Sequence, residues 1–195
     1  GDHRDLHSFP TRRSSDLNST VERHSKKDFI LGSIDNKEII LQKCGIGKVN
    51  SAIGAVEMID NYHPDLIIST GVAGGADDRM NVCDVVIGTE FRYHDAYCGD
   101  DCRYGQIMGM PPAFHAPAEL VDKAVAACGD TTAYKGLIAS GEWFVNSQNK
   151  MRAILARFPE TVAVDMESTS IAQTCHIYGV PFISFRIISD IPLKD

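Results

Sequence analysis

The sequence has no apolar run near the roughly 20 residues that a membrane-spanning helix needs. Its first residues also lack the apolar core of a secretory signal. Both absences predict a soluble, cytoplasmic protein. Basic side chains are in deficit, with 19 Lys and Arg against 26 Asp and Glu and a formal net charge of -7. Because a nucleic-acid surface needs clustered positive charge, this balance argues against nucleic acid and favours a small neutral or zwitterionic ligand.

Cysteine is present without the regular spacing of a disulfide framework. The six cysteines lie scattered through apolar runs, which predicts reduced thiols. Cys98 and Cys102, with His94 nearby, could be ligands of a metal ion, but no second pair with finger-like spacing follows them. We therefore expect no metal site.

The beginning of the chain differs from the rest. Residues 1–17 show no helical or strand periodicity and no apolar face. The run 3–17 closely resembles a translated sequencing adaptor, an artefact that recurs in assembled sequence data, so we interpret the segment as non-native and expect it to be disordered. A disordered basic tail is the alternative. With 44% hydrophobic residues in the whole chain, we expect residues 18–195 to form one globular domain.

From Asp28 onward, short β-rich runs alternate with helical stretches, which is typical of an α/β domain with a largely buried sheet. The pattern predicts strands at 38–43, 65–70, 84–88, 135–140 and 182–189. It predicts helices at 49–62, 118–128, 147–158 and 167–178. An irregular stretch at 93–117 separates them, and so long a loop is usually functional or part of an interface.

Two glycine-rich segments, CGIGK at 44–48 and TGVAGG at 70–75, are predicted to be turns from a strand into a helix. Glycine there lets a ligand approach the backbone N–H groups at the helix start, which suits phosphate, carboxylate or ribose oxygens. Tight packing of strand against helix is an equally good explanation. Neither segment is a dinucleotide or ATP motif, so we expect no cofactor.

Two carboxylates flank a methionine where a strand is expected to give way to a helix: Asp165, Met166 and Glu167. Such a pair can grip the vicinal hydroxyls of a sugar while the methionine packs on its face. Asp165 or Glu167 could equally cap the helix and interact with its dipole.

Asp190 follows an apolar strand, at the carboxyl end where open α/β sheets bind ligands. Partial removal from water favours the protonated form of a carboxyl group, which suits a proton donor near neutral pH. A helix cap is the alternative. The segment 140–146 adds the aromatic rings of Trp143 and Phe144, which suit either stacking on a base or core packing.

These segments together resemble the 5′-methylthioadenosine/S-adenosylhomocysteine nucleosidases of the nucleoside phosphorylase superfamily, over nearly everything from Ile30 to Asp190. The most specific pieces are GIGKVNSA at 45–52, STGVAGG at 69–75, RYHDA at 92–96, YGQ at 104–106, SGEWFVNS at 140–147, AVDMES at 163–168 and ISFRIISD at 183–190. The resemblance implies a three-layer α/β/α sandwich around a twisted, mostly parallel or mixed central sheet. It also implies that 18–195 is an incomplete nucleosidase domain without the family's first strand and last helix.

The resemblance further implies hydrolysis of the N-glycosidic bond of both nucleosides, a reaction of methionine salvage and the activated-methyl cycle. Adenine would leave together with methylthioribose or S-ribosylhomocysteine. In this family pattern Asp190 corresponds to the general acid that protonates adenine N7, and Ser189 supports its carboxyl group. Arg186 corresponds to an arginine near the ribose and the attacking water.

The substrate contacts implied by the resemblance are Phe144 stacked on adenine, the Val145 backbone on the base edge, Met166 and Glu167 on the ribose, and Ala73 and Gly74 in the pocket wall. Ile46 corresponds to a residue that a partner subunit contributes to the pocket for the 5′-substituent, which implies a homodimer.

The sequence also departs from the family pattern. The glutamate that positions the hydrolytic water has no counterpart, and Val72 stands where serine is common, so we expect weak or absent hydrolysis by the chain as given. Two alternatives remain: a purine nucleoside phosphorylase of the same superfamily, or an inactive purine-binding fragment. Phosphorolysis is disfavoured because only Lys48 and Arg79 lie close to the glycine turns. The loop 97–103 leaves the preference between the two substrates open.

Overall fold

The computed structural model of the chain describes residues 19–194. The chain forms two units, Gly1–Cys44 and Gly45–Asp195. The segment 1–17, interpreted above as non-native, lies outside the described residues, so that interpretation stays a prediction.

In the first unit, three strands form an antiparallel sheet in the order β1-β2-β3. They are β1 (Thr20–His24), β2 (Lys27–Ile34) and β3 (Lys37–Gln42). Asp35 and Asn36 join β2 to β3 with φ angles of 49° and 63°, a left-handed pair that matches the twist of a two-residue hairpin. The strand predicted at 38–43 is thus present as β3, whereas the sequence pattern did not predict β1 and β2.

The second unit alternates helices and strands as predicted. Its elements are α1 (Lys48–Tyr62), β4 (Ile67–Gly75), β5 (Val85–Tyr93), β6 (Phe114–His115), α2 (Ala118–Ala127), β7 (Ala133–Ser140), α3 (Gln148–Leu155), β8 (Thr161–Asp165), α4 (Ser168–Tyr178) and β9 (Phe182–Asp190). The six strands form one sheet in the order β6-β5-β7-β8-β4-β9. Because β4–β9, β5–β7 and β7–β8 are parallel and β4–β8 and β5–β6 antiparallel, the predicted α/β fold with a mixed central sheet is confirmed.

The last strand closes this sheet on itself. β9 pairs in parallel with β4 and also antiparallel with β5. The strands β5, β7, β8, β4 and β9 therefore form a continuous ring. The side chains of Ile183 and Ile188, both on β9, are buried in the main apolar core. The alternation of apolar residues along the strand did not predict this closure.

The two glycine-rich segments have different structures. Gly47 is the N-cap of α1 with a φ of 91°, so 44–48 is a turn into a helix as predicted. The segment 70–75 belongs to β4, and residues 76–84 contain no helix, so the second predicted turn is wrong. Its glycines make room for neighbouring side chains. A Cβ on Gly71, for example, would lie 2.2 Å from Arg186 Nη1.

The helix α4 turns most of its predicted apolar face inward. Ile171, Thr174 and Cys175 are buried, but Tyr178 is 46% exposed. The reason is that the helix ends there, with Gly179 in the left-handed conformation at its C-cap. Among the residues described, no helix has the length and apolar composition required to cross a membrane.

Candidate active site

The carboxyl ends of β4 and β9 lie side by side, and β8 ends against the same part of β4. Gly74 is in register with Asp190 of β9 and with Val164 of β8. A Cβ on Gly74 would lie 3.6 Å from Asp190 Oδ2 and 3.2 Å from Val164 Cγ2. The carboxyl ends of parallel strands are where α/β proteins bind ligands. The missing side chain of Gly74 therefore leaves the Asp190 carboxyl group close to the backbone of β4.

Asp190 is the last residue of β9, and it is half-buried. Ser189 Oγ donates to Asp190 Oδ1 at 2.6 Å and lies 3.3 Å from the carbonyl oxygen of Ala73. Residues 192–194, shortly after this strand, form a turn. A half-buried carboxyl group with a fixed hydroxyl partner is suited to exchanging a proton with a ligand.

Arg186, also on β9, is the centre of a buried polar network. Its Nε donates to Asp165 Oδ2 at 2.8 Å, and the two side chains are only 3% and 1% exposed. Its Nη2 donates to Ser69 Oγ at 3.1 Å and to Ser168 Oγ at 3.0 Å. Charges so far from water persist in a fold only when they are paired and hydrogen-bonded. The network thus fixes the guanidinium group against β4 and the start of α4.

The two carboxylates that flank Met166 have separate roles. Asp165 accepts the backbone N–H of Ser168, the first residue of α4, at 3.1 Å, and it therefore does the capping that the sequence left open. Glu167 occupies the N-cap position, but its side chain makes no capping bond. Glu167 Oε1 instead accepts the backbone N–H of Gly47 at 3.1 Å. Of these two carboxylates, Asp165 is therefore committed to the start of α4, whereas Glu167 is available to bind a ligand.

Glu167 is a carboxylate in partly apolar surroundings, with a side chain that is 18% exposed. Burial, reinforced by the charge of Asp165, raises the pKa of Glu167. The Gly47 N–H bond and the charge of Arg186, whose Nη2 lies 3.9 Å from Glu167 Oε2, act in the opposite direction. A carboxylate in this position gains from any additional hydrogen-bond donor, which a sugar hydroxyl would supply.

The aromatic segment after β7 presents one open ring. Phe144 is 70% exposed, so core packing does not explain it, whereas Val145 is buried. Trp143 is 44% exposed, and its ring centroid lies 5.3 Å from that of the buried His94. Lys150 Nζ donates to the carbonyl oxygen of Phe144 at 3.0 Å and to Asn146 Oδ1 at 2.9 Å. The loop therefore has a defined backbone and an open aromatic face, which suits a planar apolar ligand.

Two backbone N–H groups in the turn into α1 are bound by carboxylates of the protein itself. The Gly47 N–H is bound to Glu167, and the Lys48 N–H donates to Glu142 Oε1 at 2.6 Å. Lys48 Nζ lies 3.1 Å from both carboxylate oxygens of Asp95. The Gly47 and Lys48 N–H groups, which the sequence suggested for a ligand, are thus bound within the protein.

Of the other predicted residues, Met166 is half-buried beside Glu167, Ala73 is buried, and Ile46 is 55% exposed at the start of α1. The sequence did not assign roles to Asp95, Glu142 or Lys150. Asp95 lies in the quoted RYHDA motif, and Glu142 in SGEWFVNS, so their motifs carried the only available signal. Within residues 19–194, no three His, Cys, Asp or Glu side chains are placed to hold a metal ion.

Comparisons with known proteins place the chain in a family. The model of the phosphorylase superfamily matches residues 5–195. A 5′-methylthioadenosine/S-adenosylhomocysteine nucleosidase of an Exiguobacterium species is 43% identical over 166 residues, which are 83% of this chain and 71% of that protein.

Solved structures give the same result. The nucleosidase of Neisseria meningitidis in complex with methylthio-immucillin-A is 35% identical, with a TM-score of 0.85 over 89% of this chain and 77% of that one. The nucleosidase of Colwellia psychrerythraea in complex with adenine is 32% identical, with a TM-score of 0.86 over 92% of this chain and 76% of that one. The chain therefore belongs to the 5′-methylthioadenosine/S-adenosylhomocysteine nucleosidases of the phosphorylase superfamily.

Proposed function

We propose that the chain hydrolyses the N-glycosidic bond of 5′-methylthioadenosine and S-adenosylhomocysteine and that Asp190 is its general acid. The observation that carries this proposal is the Asp190 carboxyl group at the joint end of β4 and β9, with Ser189 Oγ 2.6 Å away and no side chain on Gly74 to cover it. Related proteins of this family bind adenine and a methylthio-substituted inhibitor in their solved structures.

Cleavage of this bond leaves negative charge on adenine and positive charge on the ribose. A proton delivered by Asp190 to adenine N7 makes adenine a neutral leaving group, and a placed general acid contributes roughly 10²–10⁴-fold to such a step. The Ser189 hydroxyl, bound to Asp190 Oδ1, keeps the carboxyl group in one orientation. Water then attacks the anomeric carbon, and the products are adenine and methylthioribose or S-ribosylhomocysteine.

The ribose is held by Glu167, whose carboxylate accepts the sugar hydroxyls, while Met166 packs against the ring. Arg186 was expected near the ribose and the water. Its Nε and Nη2 already donate to Asp165, Ser69 and Ser168, so it acts mainly as a positioning residue for the Glu167 side of the pocket.

The base is held by the loop after β7. The open ring of Phe144 stacks on adenine, and the backbone of Val145 binds the edge of the base. Ala73 and Gly74 line the wall between the base and the ribose. The exposure of Phe144 and the absence of a side chain on Gly74 support this arrangement, because both leave space for a flat ligand.

The charges near the site support hydrolysis over phosphorolysis. Lys48, one of the two cations that lie close in sequence to the glycine-rich segments, is paired with Asp95. Arg79, the other, donates to Asp77 through Nε at 2.9 Å, and this bond lowers the pKa of Asp77 to about 2. A phosphate ion would have to displace a carboxylate from each cation.

Product analysis tests this proposal directly. The purified chain is incubated with 5′-methylthioadenosine in phosphate-free buffer and in buffer with phosphate, and adenine and the sugar product are measured by mass spectrometry. Because the glutamate that positions the water has no counterpart in this chain, we expect adenine release to be slow, but equal in the two buffers and accompanied by free methylthioribose. A phosphate-dependent sugar phosphate would identify a phosphorylase, and binding of adenine without any turnover would identify a purine-binding protein.

We also infer a homodimer in which Ile46 reaches the 5′-substituent pocket of the partner. The support is a row of exposed apolar side chains at helical spacing near the start of α1, with Ile46 55%, Val49 69% and Ile53 48% exposed. Light scattering should give twice the monomer mass, and Val49→Asp should lower it to the monomer mass. An unchanged mass for Val49→Asp would place the interface elsewhere.

A cytoplasmic location stays a prediction. Its support is chemical: Cys83, Cys98, Cys102, Cys128 and Cys175 are free thiols, and Cys175 is buried in the core.

A further inference from the structure

Asp95 joins two segments that are far apart in the sequence. Its two carboxylate oxygens lie 3.1 Å from Lys48 Nζ, in the turn into α1, and Asp95 Oδ2 accepts the backbone N–H of Glu142 at 2.8 Å, in the loop after β7. Its side chain is only 8% exposed. An ion pair shielded in this way is far less screened by solvent than a surface pair. The Asp95 carboxylate therefore holds the turn and the loop together.

The loop after β7 also binds the turn directly, through the side chain of Glu142. Glu142 Oε1 accepts the Lys48 N–H at 2.6 Å, so that Asp95, Lys48 and Glu142 form a closed set of contacts. Gly47 must be glycine here, because its φ is 91° and a Cβ would lie 2.7 Å from Glu142 Oε2. The direction of the Gly47 N–H is thus fixed by contacts on both neighbouring segments.

That N–H is the donor that holds Glu167. Glu167 Oε1 accepts it at 3.1 Å, and in the function proposed above Glu167 binds the ribose. The same loop that begins with Glu142 continues to Phe144, on which adenine stacks in that proposal. Asp95 therefore contacts the turn that binds Glu167, the proposed ribose ligand. It also contacts the loop that carries Phe144, the proposed stacking partner of adenine.

We propose that Asp95 is a positioning residue that sets the ribose carboxylate and the base-stacking loop in register with each other, without touching the nucleoside. The proposal rests on the roles of Glu167 and Phe144 given above. The space around Asp95 is narrow, since a Cβ on Gly141 would lie 2.8 Å from Asp95 Cγ and 2.3 Å from His94 Cε1.

The first test is Asp95→Asn, which keeps the shape of the side chain and removes the ion pair with Lys48. A displacement of about 1 Å at a reacting centre can cost roughly 10²-fold, so we expect kcat/KM for 5′-methylthioadenosine to fall about 10- to 100-fold. Asp77→Asn is the matched control because it removes the exposed ion pair with Arg79, and its kcat/KM should stay within about twofold. Equal kcat/KM values for the two variants would overturn the proposal.

The second test asks whether Asp95 acts through Glu167. Asp95→Asn is measured alone and in the Glu167→Gln background, with 5′-methylthioadenosine and with its 2′-deoxy analogue. We expect the loss caused by Asp95→Asn to shrink strongly once Glu167 is replaced and to be smaller for the deoxy analogue. A loss of equal size in both backgrounds and for both substrates is the result expected of a merely structural residue, and it would refute the positioning role.

A third comparison covers the case in which Asp95→Asn does not fold. Lys48→Met removes the ion pair but keeps the apolar stem, and Lys48→Arg keeps the charge. We expect Lys48→Met to lose the preference for the ribose over the deoxyribose substrate and Lys48→Arg to retain most of it. Equal preferences in the two variants would refute the proposal. If Glu167→Gln itself leaves that preference unchanged, the proposed role of Glu167 fails instead, so the two failures can be told apart.

Discussion

Replacing Arg186 with Met should destabilise the fold strongly, because it leaves a buried charge without its partner. Asp165 would lose the Nε bond at 2.8 Å while its side chain stays 1% exposed. Ser140 Oγ at 2.5 Å and the Ser168 N–H at 3.1 Å would still donate to the carboxylate, but neutral donors replace only part of a cation.

The magnitude follows from this burial. Removing one member of a buried ion pair costs about 3–5 kcal/mol, against a total stability of about 5–15 kcal/mol for a typical domain. We therefore expect Arg186→Met to lose a large part of the free energy of unfolding, measured by urea denaturation. Arg79→Met is the control, since Arg79 is 81% exposed in its pair with Asp77 and its loss should change the free energy of unfolding very little.

A double variant separates the charge from the packing. Asp165→Asn together with Arg186→Met removes both charges, so it should be more stable than Arg186→Met alone. The reasoning is refuted if Arg186→Met unfolds at the same urea concentration as Arg79→Met. It is also refuted if the double variant is less stable than Arg186→Met, because the unpaired charge would then not be the cause.

Three further predictions concern Asp190 and Glu167. Asp190→Asn keeps the contact with Ser189 but cannot donate a carboxyl proton. The kcat for adenine release should therefore fall at least about 100-fold, while the affinity for a substrate analogue changes little. Unchanged turnover would exclude Asp190 as the general acid. Glu167→Gln should weaken affinity for substrates that carry the ribose hydroxyls, and binding measurements in which 2′-deoxy substrates are weakened equally would show that Glu167 does not hold them. Because the pKa of Glu167 is raised on folding, its ionised form destabilises the native state at neutral pH, and Glu167→Gln should have a higher Tm than the parent protein at pH 7. This difference in Tm should vanish as the pH falls below about 4.3, where the carboxyl group is protonated in both the folded and the unfolded state. A Tm difference that is independent of pH would contradict the raised pKa.

Local patterns in the sequence predict most elements of the second unit. The apolar run that ends at Asp190 forms β9, and the change from strand to helix around Met166 lies where it was predicted. The strand β1 was missed because its side chains are mostly polar and exposed, and β2 because its apolar residues Phe29, Ile30 and Leu31 are consecutive rather than alternating. The extent of β4 was missed because glycine more often ends a strand than continues it.

The site was harder to predict than the elements that carry it. Asp190 could be proposed because it directly follows an apolar strand. The contacts of Asp95 could not be predicted, because Lys48 and Glu142 are each 47 residues away from it in the sequence. The motifs that contain these residues do not indicate that they contact one another. In the same way, the sequence left Asp165 and Glu167 equivalent, and only their contacts in the structure distinguish them, with Ser168 bound by Asp165 and Gly47 by Glu167.

The ring of strands gives the proposed acid and the proposed aromatic platform different mobilities. β9 is hydrogen-bonded on both sides, to β4 and to β5, so it cannot slide by one residue without breaking two ladders at once. Its backbone amides should be among the slowest in the protein to exchange with deuterium, whereas those around Phe144, in an exposed loop, should exchange early. Entry of the nucleoside and departure of adenine would then be accommodated by movement of the loop alone. The proton donor would stay in place through every turnover.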